Sequence, residues 1–282
     1  FGVAAIGWAR RGLNFRWPFF PENRLGTKGF SWFNLVAFPL LNLLVFLPAV
    51  VVYVLVCASL AVGHFSDGFL SLRPAGLSVL VKKFVRADGK MIQLVPMAHV
   101  GDASFYQKLT QSFPTNALIL MEGVTDEQHL LTNKISYKRM AAELGVSEQK
   151  EEFQPRPEQM VRADVDIAEF NPGTIAILNL VMRIHAQGLT PATLQELMQY
   201  PVTPVMQAQL IEDLITKRNQ HLLAEIRTNL AESDLLIVPW GAAHIPGIAR
   251  EIQKTGFRPM ATNEYTVIHF GGSGNHNQAA GP

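Results

Sequence analysis

Hydrophobic residues form one long uninterrupted run near the start of the chain and shorter periodic runs after it. No charged residue lies between Phe30 and Gly63. An apolar run of more than about 18 residues is typical of a transmembrane helix. We therefore predict a transmembrane segment over residues 30–63, strongest over 40–62, with residues 30–38 at the membrane interface.

Three other interpretations of this run remain open. Pro39 and Pro48 would allow it to fold back as a kinked hairpin. A signal peptide is a second alternative, although its apolar region usually has only about 7–15 residues. A helix buried in a soluble core is the third. The run is longer than one straight span requires and short for two, so we favour a single span.

Basic residues are concentrated before the apolar run, at Arg10, Arg11, Arg16, Arg24 and Lys28. After the run, Arg73 is the nearest basic residue, followed by Lys82 and Lys83. Because cytoplasmic flanks carry the excess of Lys and Arg, a single-pass protein with this pattern has its N-terminus in the cytoplasm. The C-terminal domain is then extracytoplasmic, whereas a hairpin would return it to the cytoplasm.

Beyond the apolar run, short apolar stretches alternate with amphipathic ones. The pattern predicts strands over 78–85, 91–95, 117–121, 160–165, 235–238 and 265–270, and helices over 104–112, 134–144, 172–185, 205–230 and 248–254, with a further helix starting at 190–191 and a surface loop over 148–158. Asp88-Gly89 between two apolar runs predicts a hairpin turn. This alternation predicts an α/β fold, with a mixed β-sheet flanked by helices and preceded by the transmembrane segment.

The same pattern divides the chain into five parts. They are a basic and aromatic N-terminal segment (1–29), the transmembrane segment (30–63), a linker (64–77), an α/β domain (78–270) and a Gly/Asn-rich disordered tail (271–282). A net charge of +1 gives no electrostatic footprint for nucleic acid. The single cysteine, Cys57, excludes an internal disulfide and a cysteine-rich metal site.

A similar sequence motif occurs twice, each time at the end of a predicted strand. It reads VPMAHVG at 95–101 and VPWGAAHIPG at 238–247, and it places His99 and His244 at strand ends. Groups at the carboxyl ends of strands line the ligand crevice of an open α/β sheet. The two histidines therefore have the context to converge on one site, although each would otherwise be interpreted as a hydrogen-bonded structural histidine. Gly241 permits close approach of backbone or ligand.

Glu122 ends another predicted strand and precedes Gly123. A carboxylate at the end of an apolar strand must be solvated, paired or bound. The alternatives are an ion pair at the rim of the domain, a general base or a metal ligand. Two histidines and one carboxylate can bind a divalent metal with open coordination positions, so His99, Glu122 and His244 form the candidate metal site.

Arg218 and Asn219 occupy the apolar side of the predicted helix 205–230. Each lies four residues from apolar residues in both directions, so both side chains point toward the packed face. A buried charge needs a partner. Arg218 then either forms a structural ion pair, with Glu122, Asp164 or Asp166, or orients the catalytic carboxylate and an anionic group of the substrate.

The sequence RADVD at 162–166 places Arg162, Asp164 and Asp166 at alternate positions of a predicted strand. Side chains at a period of two share one face of a strand. We expect these residues to form a salt-bridged, substrate-binding wall of the site, together with Gly241; a solvated sheet edge is the alternative.

These motifs together resemble those of the TraB/PrgY/GumN superfamily, which includes the TIKI proteins and is distantly related to erythromycin-esterase and ChaN-like domains. Gly241-Ala-Ala-His244 resembles the second Gly-x-x-His motif, Arg218-Asn219 the Arg-Asn helix, and Glu122 the carboxylate that follows a strand. Pro96-Met-Ala-His99 stands in place of the first Gly-x-x-His motif, with Pro96 where the family has Gly. The resemblance extends over residues 79–270.

The resemblance implies a membrane-associated or extracytoplasmic domain with metal-dependent hydrolase activity. TIKI members are proteases that use Mn or Co-type divalent ions, PrgY-like members reduce peptide pheromone activity, and ChaN-like relatives bind haem. We therefore predict a membrane-anchored metal-dependent hydrolase, peptidase-like, that uses Mn, Co or Zn and acts on a peptide or small-molecule substrate. The alternative is a non-catalytic protein that sequesters a peptide or haem, with Tyr106 or Met97 assisting the histidines.

Overall fold

The structure is a computed structural model, and it describes residues 32–132, 137–188, 190–199 and 203–271. The chain separates into two compact units, Phe1–Val54 and Leu55–Pro282. The described part of the first unit is helical, and the α/β fold belongs entirely to the second unit.

The apolar run forms one helix, α1 (Trp32–Phe65), which continues through both Pro39 and Pro48. The kinked hairpin is therefore not formed. Within Leu35–Phe65 the most apolar stretch of 18 residues has a mean hydropathy of 2.7, and no residue of that stretch is buried. At a rise of 1.5 Å per residue, 34 residues extend about 51 Å, against about 30 Å for the hydrocarbon core of a bilayer. The helix is thus long and apolar enough to cross a membrane.

Among the described residues, seven strands form one mixed sheet. In spatial order six of them are β1 (Leu70–Arg73), β2 (Gly76–Val85), β3 (Met91–Met97), β8 (Leu235–Gly241), β5 (Leu118–Met121) and β7 (Met160–Arg162), and β9 (Arg258–His269) pairs with β2. The pairs β3–β8, β8–β5 and β5–β7 are parallel, whereas β1, β3 and β9 pair with β2 in antiparallel fashion. The strands β4 (Val100–Gly101) and β6 (Ser147–Glu148) form a small separate ribbon. The predicted α/β class with a mixed sheet is confirmed.

Helices of the second unit cover both faces of this sheet. They are α2 (Ala103–Gln111), α3 (Lys138–Leu144), α4 (Gln149–Glu152), α5 (Pro172–Gln187), α6 (Pro191–Gln199), α7 (Pro204–Ile211), α8 (Arg218–Asn229) and α9 (Ile245–Lys254). Two 3-10 turns, Pro157–Gln159 and Ile167–Glu169, and a π-helical segment, Glu212–Lys217, complete the described elements. The predicted loop over 148–158 is therefore wrong in part, because it contains α4 and the first of these turns.

The two faces of β8 show how the core is divided. Leu236, Val238 and Trp240 pack in one buried cluster with residues of α8 and α9, whereas Leu235 and Ile237 pack in another with residues of α2. This alternation follows from the period of two along a strand. Complete burial of each such side chain contributes about 1.5–3 kcal/mol, which fixes the strand register and thereby the position of the residues at its end.

The predicted linker over 64–77 is wrong. Helix α1 extends to Phe65, and Leu70–Arg73 forms the strand β1, which pairs with β2. Phe69 is buried in the core, so this segment cannot be a loose connection. Gly76 has a φ of +158°, and a Cβ there would lie 2.2 Å from the carbonyl oxygen of Ile268. The glycine is therefore required by the close approach of β9, which pairs with β2 at this position. The predicted tail, 271–282, lies outside the described residues apart from Gly271.

Candidate active site

Five of the residues predicted for the site gather at the carboxyl ends of two adjacent parallel strands. Glu122 follows β5, and Gly241 is the last residue of β8. His244 immediately precedes α9, and Arg218 and Asn219 begin α8. In an open parallel sheet this edge is where ligands bind.

The Glu122 carboxylate is held by two donors on different elements. Its Oε2 accepts a hydrogen bond from the backbone N–H of Gly241 (2.5 Å), and its Oε1 accepts one from Nη2 of Arg218 (2.8 Å). A Cβ on residue 241 would lie 3.3 Å from Oε2, closer than nearly all such contacts. Glycine at the end of β8 is therefore what allows the carboxylate to approach the strand.

The Arg218 guanidinium is the centre of the cluster. Its Nε and Nη2 donate to the two oxygens of Asp164 at 3.0 and 2.6 Å, a bidentate pair, while Nη2 also donates to Glu122. The Arg218 side chain is 13% exposed and that of Asp164 is fully buried. Burial lowers the pKa of Arg218, but the two carboxylates outweigh this effect and keep it above its ordinary value. The predicted inward orientation of Arg218 is confirmed.

His244 is hydrogen-bonded through both ring nitrogens. Its Nδ1 lies 2.7 Å from Oδ1 of Asn219, and its Nε2 lies 3.1 Å from Nη1 of Arg218. Because an amide oxygen only accepts, Nδ1 carries the proton and Nε2 accepts from the guanidinium. Burial, and next the positive charge of Arg218, lower the pKa of His244 below its usual range. His244 is therefore a neutral imidazole at neutral pH.

The helix that carries Arg218 is not regular. The predicted helix 205–230 consists of α7, a π-helical segment over Glu212–Lys217 and α8. Short π-helical segments occur frequently at functional sites. This one ends directly before Arg218, so the backbone is widened where the guanidinium enters the cluster.

Asp213, within this π-helical segment, is a buried residue that the sequence did not indicate. Its carboxylate accepts hydrogen bonds from the N–H of Asn171, the hydroxyl of Thr174 and the amide of Gln209, and it pairs with Lys217 at 2.7 Å. Burial raises its pKa, yet these donors outweigh burial and the net pKa is lowered. Asp213 thus joins the start of α5 to the segment that positions Arg218. Its spacing of four residues from Lys217 was the available signal.

Glu122 and Arg218 open onto a cavity of about 610 Å³. His99 and Tyr137 also line it, with their rings stacked at 4.6 Å between centroids. Burial, and then the charges of Glu122 and Glu148, raise the pKa of Tyr137. Tyr137 was not predicted as a site residue, because only the folding of the chain brings it to the cavity. The polar residues Glu148, Gln149 and Lys150 line it as well. Apart from Gly123, the rest of the lining is apolar: Met121, Val124, Leu131, Phe153, Ile167, Phe170, Leu178, Met182 and Leu214.

The predicted metal ligands are only partly brought together. Oε1 of Glu122 and Nε2 of His244 lie 3.6 Å apart. The part of the chain that the structure describes contains no group of three or more His, Cys, Asp or Glu placed to hold a metal ion. The Arg218 guanidinium contacts both atoms, so a divalent ion does not fit between them unless that side chain moves. The centre formed by His99, Glu122 and His244 stays a prediction.

The three residues predicted to form one wall do not share a strand face, because β7 ends at Arg162. Asp164 is bound to Arg218 and to the N–H groups of Gly123 and Val165. Asp166 caps the second 3-10 turn through the N–H of Ala168. Asp164 is thus a partner of Arg218 with no oxygen left for a substrate, and Asp166 is a structural residue.

Arg162 is exposed and lines a second cavity, of about 430 Å³. Tyr106 and Met97, predicted as possible haem contacts, are buried in the core instead. The Tyr106 hydroxyl donates to the carbonyl of Ala98, and burial raises its pKa strongly. Their positions on the core side of the sheet follow from the strand and helix periods. This burial excludes both residues as ligands in the cavity.

Comparison with family models, with curated proteins and with solved structures gives no significant match. The resemblance to the TraB/PrgY/GumN superfamily therefore rests on the motifs alone and stays a prediction.

Proposed function

We propose that the α/β domain is a hydrolase of peptide-type bonds, with Glu122 and Arg218 as its reactive groups and His244 as a positioning residue. The observation that carries this proposal is that Glu122 and Arg218 are hydrogen-bonded to each other and both line the same cavity. A carboxylate and a cation fixed side by side at the edge of an apolar cavity are suited to activating water and stabilising negative charge.

The chemistry assigns one role to each of these two groups. The Glu122 carboxylate accepts a proton from a water molecule, whose oxygen forms a bond to the substrate carbonyl carbon. The positive charge of Arg218 stabilises the oxyanion that results. When the carbon–nitrogen bond breaks, the leaving amine takes the proton from Glu122. Water is consumed, and one carboxyl and one amino group are formed.

His244 and Asn219 act on Arg218 rather than on the substrate. The His244 side chain is only 5% exposed, and its Nε2 accepts from the guanidinium. Asn219 holds Nδ1 and so keeps Nε2 as the acceptor. This chain of hydrogen bonds fixes the direction of Arg218, and Asp164 fixes it from the other side. Preorganised charge of this kind needs little rearrangement during reaction.

The proposal also includes a dependence of the hydrolysis rate on a divalent metal ion, which the activity assay measures. A bound Mn, Co or Zn ion would polarise the carbonyl and lower the pKa of a bound water. Glu122 and His244 would be its nearest ligands, with His99 as the third predicted one, after displacement of Arg218.

We also propose that α1 anchors the domain in a membrane as a single span. Its length and hydropathy support this, and the excess of basic residues before it favours an extracytoplasmic domain. Labelling tests the orientation: in a Cys57→Ser background, Glu251→Cys should react with an impermeant maleimide on intact cells. Protection of that cysteine until the cells are lysed would place the domain in the cytoplasm.

The activity is tested with the detergent-solubilised full chain and a fluorogenic peptide library. We expect turnover that falls at least about 100-fold in Glu122→Gln, which keeps the size of the side chain and one acceptor oxygen but cannot take the proton at neutral pH. Glu251→Gln, on the exposed face of α9, is the matched control and should be unchanged. Each protein is assayed with chelator and with added Mn, Co or Zn. Equal rates in wild type and Glu122→Gln would refute the proposed centre.

A non-catalytic binding protein is the second candidate. It is favoured by the mainly apolar lining of the cavity and by the exposed His99 at its wall, which are suited to haem or an apolar peptide. Haem titration should then give a Soret band that is lost in His99→Ala, with no turnover of any library peptide. Turnover without haem binding would favour the hydrolase.

A further inference from the structure

A second cavity adjoins the first along the segment Met121–Val124. All four residues of that segment line both cavities, so Glu122 stands at their junction. The two cavities have volumes of about 610 and 430 Å³. A ligand that fills only one of them would leave half of the space around the reactive carboxylate empty.

Gly123 provides the surface between the two cavities. It is exposed, its φ is +150°, and a Cβ built on it would meet no atom within 4 Å. Its N–H is held by Asp164, which fixes the backbone. At Gly123 the junction therefore presents main chain without a side chain, over which an extended chain can pass.

The two cavities differ in character. The larger is lined mainly by apolar side chains. The smaller carries Arg162, which is exposed and forms no ion pair with any residue that the structure describes, and Glu122, whose charge is already paired with Arg218. Among the described residues that line the smaller cavity, Arg162 is therefore the charged group without a partner, and the fork of its guanidinium matches a carboxylate.

We propose that the site takes an extended peptide that crosses Gly123, with an apolar side chain in the larger cavity and a carboxylate beside Arg162 in the smaller one. This inference rests on the proposed function in taking Glu122 as the reactive group. The peptide bond presented to Glu122 then lies inside the chain, with residues bound on both sides of it, and the domain acts as an endopeptidase.

The carboxylate has two sources, an acidic side chain or the C-terminus of the peptide. Three fluorescein-labelled peptides with the same apolar half separate them. The first has glutamate beyond the central bond and an amidated C-terminus, and the second has glutamine in its place. The third has glutamine and ends there in a free carboxylate. Binding is measured by anisotropy with the full chain in detergent, in a Glu122→Gln background so that the peptides stay intact.

We expect the glutamate peptide to bind about fivefold to tenfold more tightly than the glutamine amide, since the ion pair is partly exposed to solvent. Arg162→Glu should abolish this preference and leave the affinity for the glutamine amide unchanged. Arg156→Glu is the matched control, because Arg156 is also exposed but lines neither cavity. It should retain the preference for glutamate.

Two results would overturn the inference. The first is equal affinity for all three peptides, or a preference for glutamate that survives Arg162→Glu. The second is tight binding of the free C-terminal carboxylate alone, which would mean that the smaller cavity holds a chain end. The binding assay does not depend on turnover, so the two proposals can fail separately. If binding depends on Arg162 but the wild type hydrolyses no peptide, the proposed function is refuted and the two-cavity binding mode is kept.

Discussion

Removal of the Arg218 guanidinium should destabilise the domain as well as inactivate it. In Arg218→Met, Asp164 keeps a fully buried carboxylate without its cation, and Glu122, 14% exposed, loses the same partner. Breaking a buried ion pair by removal of one partner costs about 3–5 kcal/mol. Asp164 keeps two backbone N–H donors, from Gly123 and Val165, each at 2.9 Å. We therefore expect the lower end of that range, about 3 kcal/mol.

Thermal unfolding of the full chain in detergent measures this loss. For a domain of this size, about 3 kcal/mol corresponds to a decrease in Tm of about 6–12 °C. Arg250→Met is the control, since Arg250 and Asp67 form a pair that is 64% and 47% exposed. Such a surface pair contributes less than about 1 kcal/mol.

A double-mutant cycle separates the ion pair from lost packing. Asp164→Asn removes the charge that Arg218→Met would leave uncompensated, so the double variant should be more stable than the sum of the single effects implies, by about 1.5 kcal/mol or more. Additivity of the two substitutions within about 0.5 kcal/mol would refute the view that Arg218 neutralises a buried carboxylate.

Three further predictions concern the residues around Arg218. Because the pKa of His244 is lowered, the unfolded chain takes up a proton below about pH 6.5 that the folded chain does not, so the free energy of unfolding decreases as the pH falls. His244→Asn should make the free energy of unfolding, measured by chemical denaturation, less dependent on pH between about pH 6.5 and 5. An unchanged pH dependence would contradict this prediction. Gly241→Ala should press on the Glu122 carboxylate and reduce turnover about tenfold or more while Tm changes by only a few degrees, whereas wild-type rates would show that the carboxylate position is not critical. Asp213→Ala should leave Thr174 and the N–H of Asn171 without their acceptor and lower the free energy of unfolding, measured in urea, by about 1–3 kcal/mol. If the loss is no larger than that of an exposed substitution such as Glu251→Ala, the carboxylate does not hold α5.

The residues that sequence reasoning placed correctly are those governed by local periodicity. Glu122 directly follows β5 and His244 lies three residues after the end of β8, and parallel strands bring their ends to one edge. Arg218 and Asn219 lie on the apolar face of a helix, four residues from apolar neighbours. The π-helical segment before Arg218 does not change the side to which they point. The bidentate partner of Arg218 was also among the three carboxylates considered. In each case, a short-range pattern was sufficient to specify the direction of the side chain.

The features that sequence reasoning missed depend on contacts between distant segments. Residues 64–77 carry glycines and a proline typical of a linker, yet burial of Phe69 and pairing with β2 make part of them a strand. Tyr137 lines the cavity with its ring stacked on that of His99, a contact between segments distant in the sequence. The position of Arg218 between Glu122 and His244 is likewise a property of the folded chain, since a sequence shows which groups converge but not which one lies in the middle.

The most direct test of the account is the turnover of an internally quenched peptide by the wild-type full chain and by Glu122→Gln, measured side by side at neutral pH with and without added Mn, Co or Zn. We expect cleavage of a bond inside the peptide by the wild type, and a rate at least about 100-fold lower in the variant under the same conditions. Equal cleavage by both proteins, or none by the wild type under any of these conditions, would contradict the assignment of Glu122, Arg218 and His244 as a hydrolytic centre.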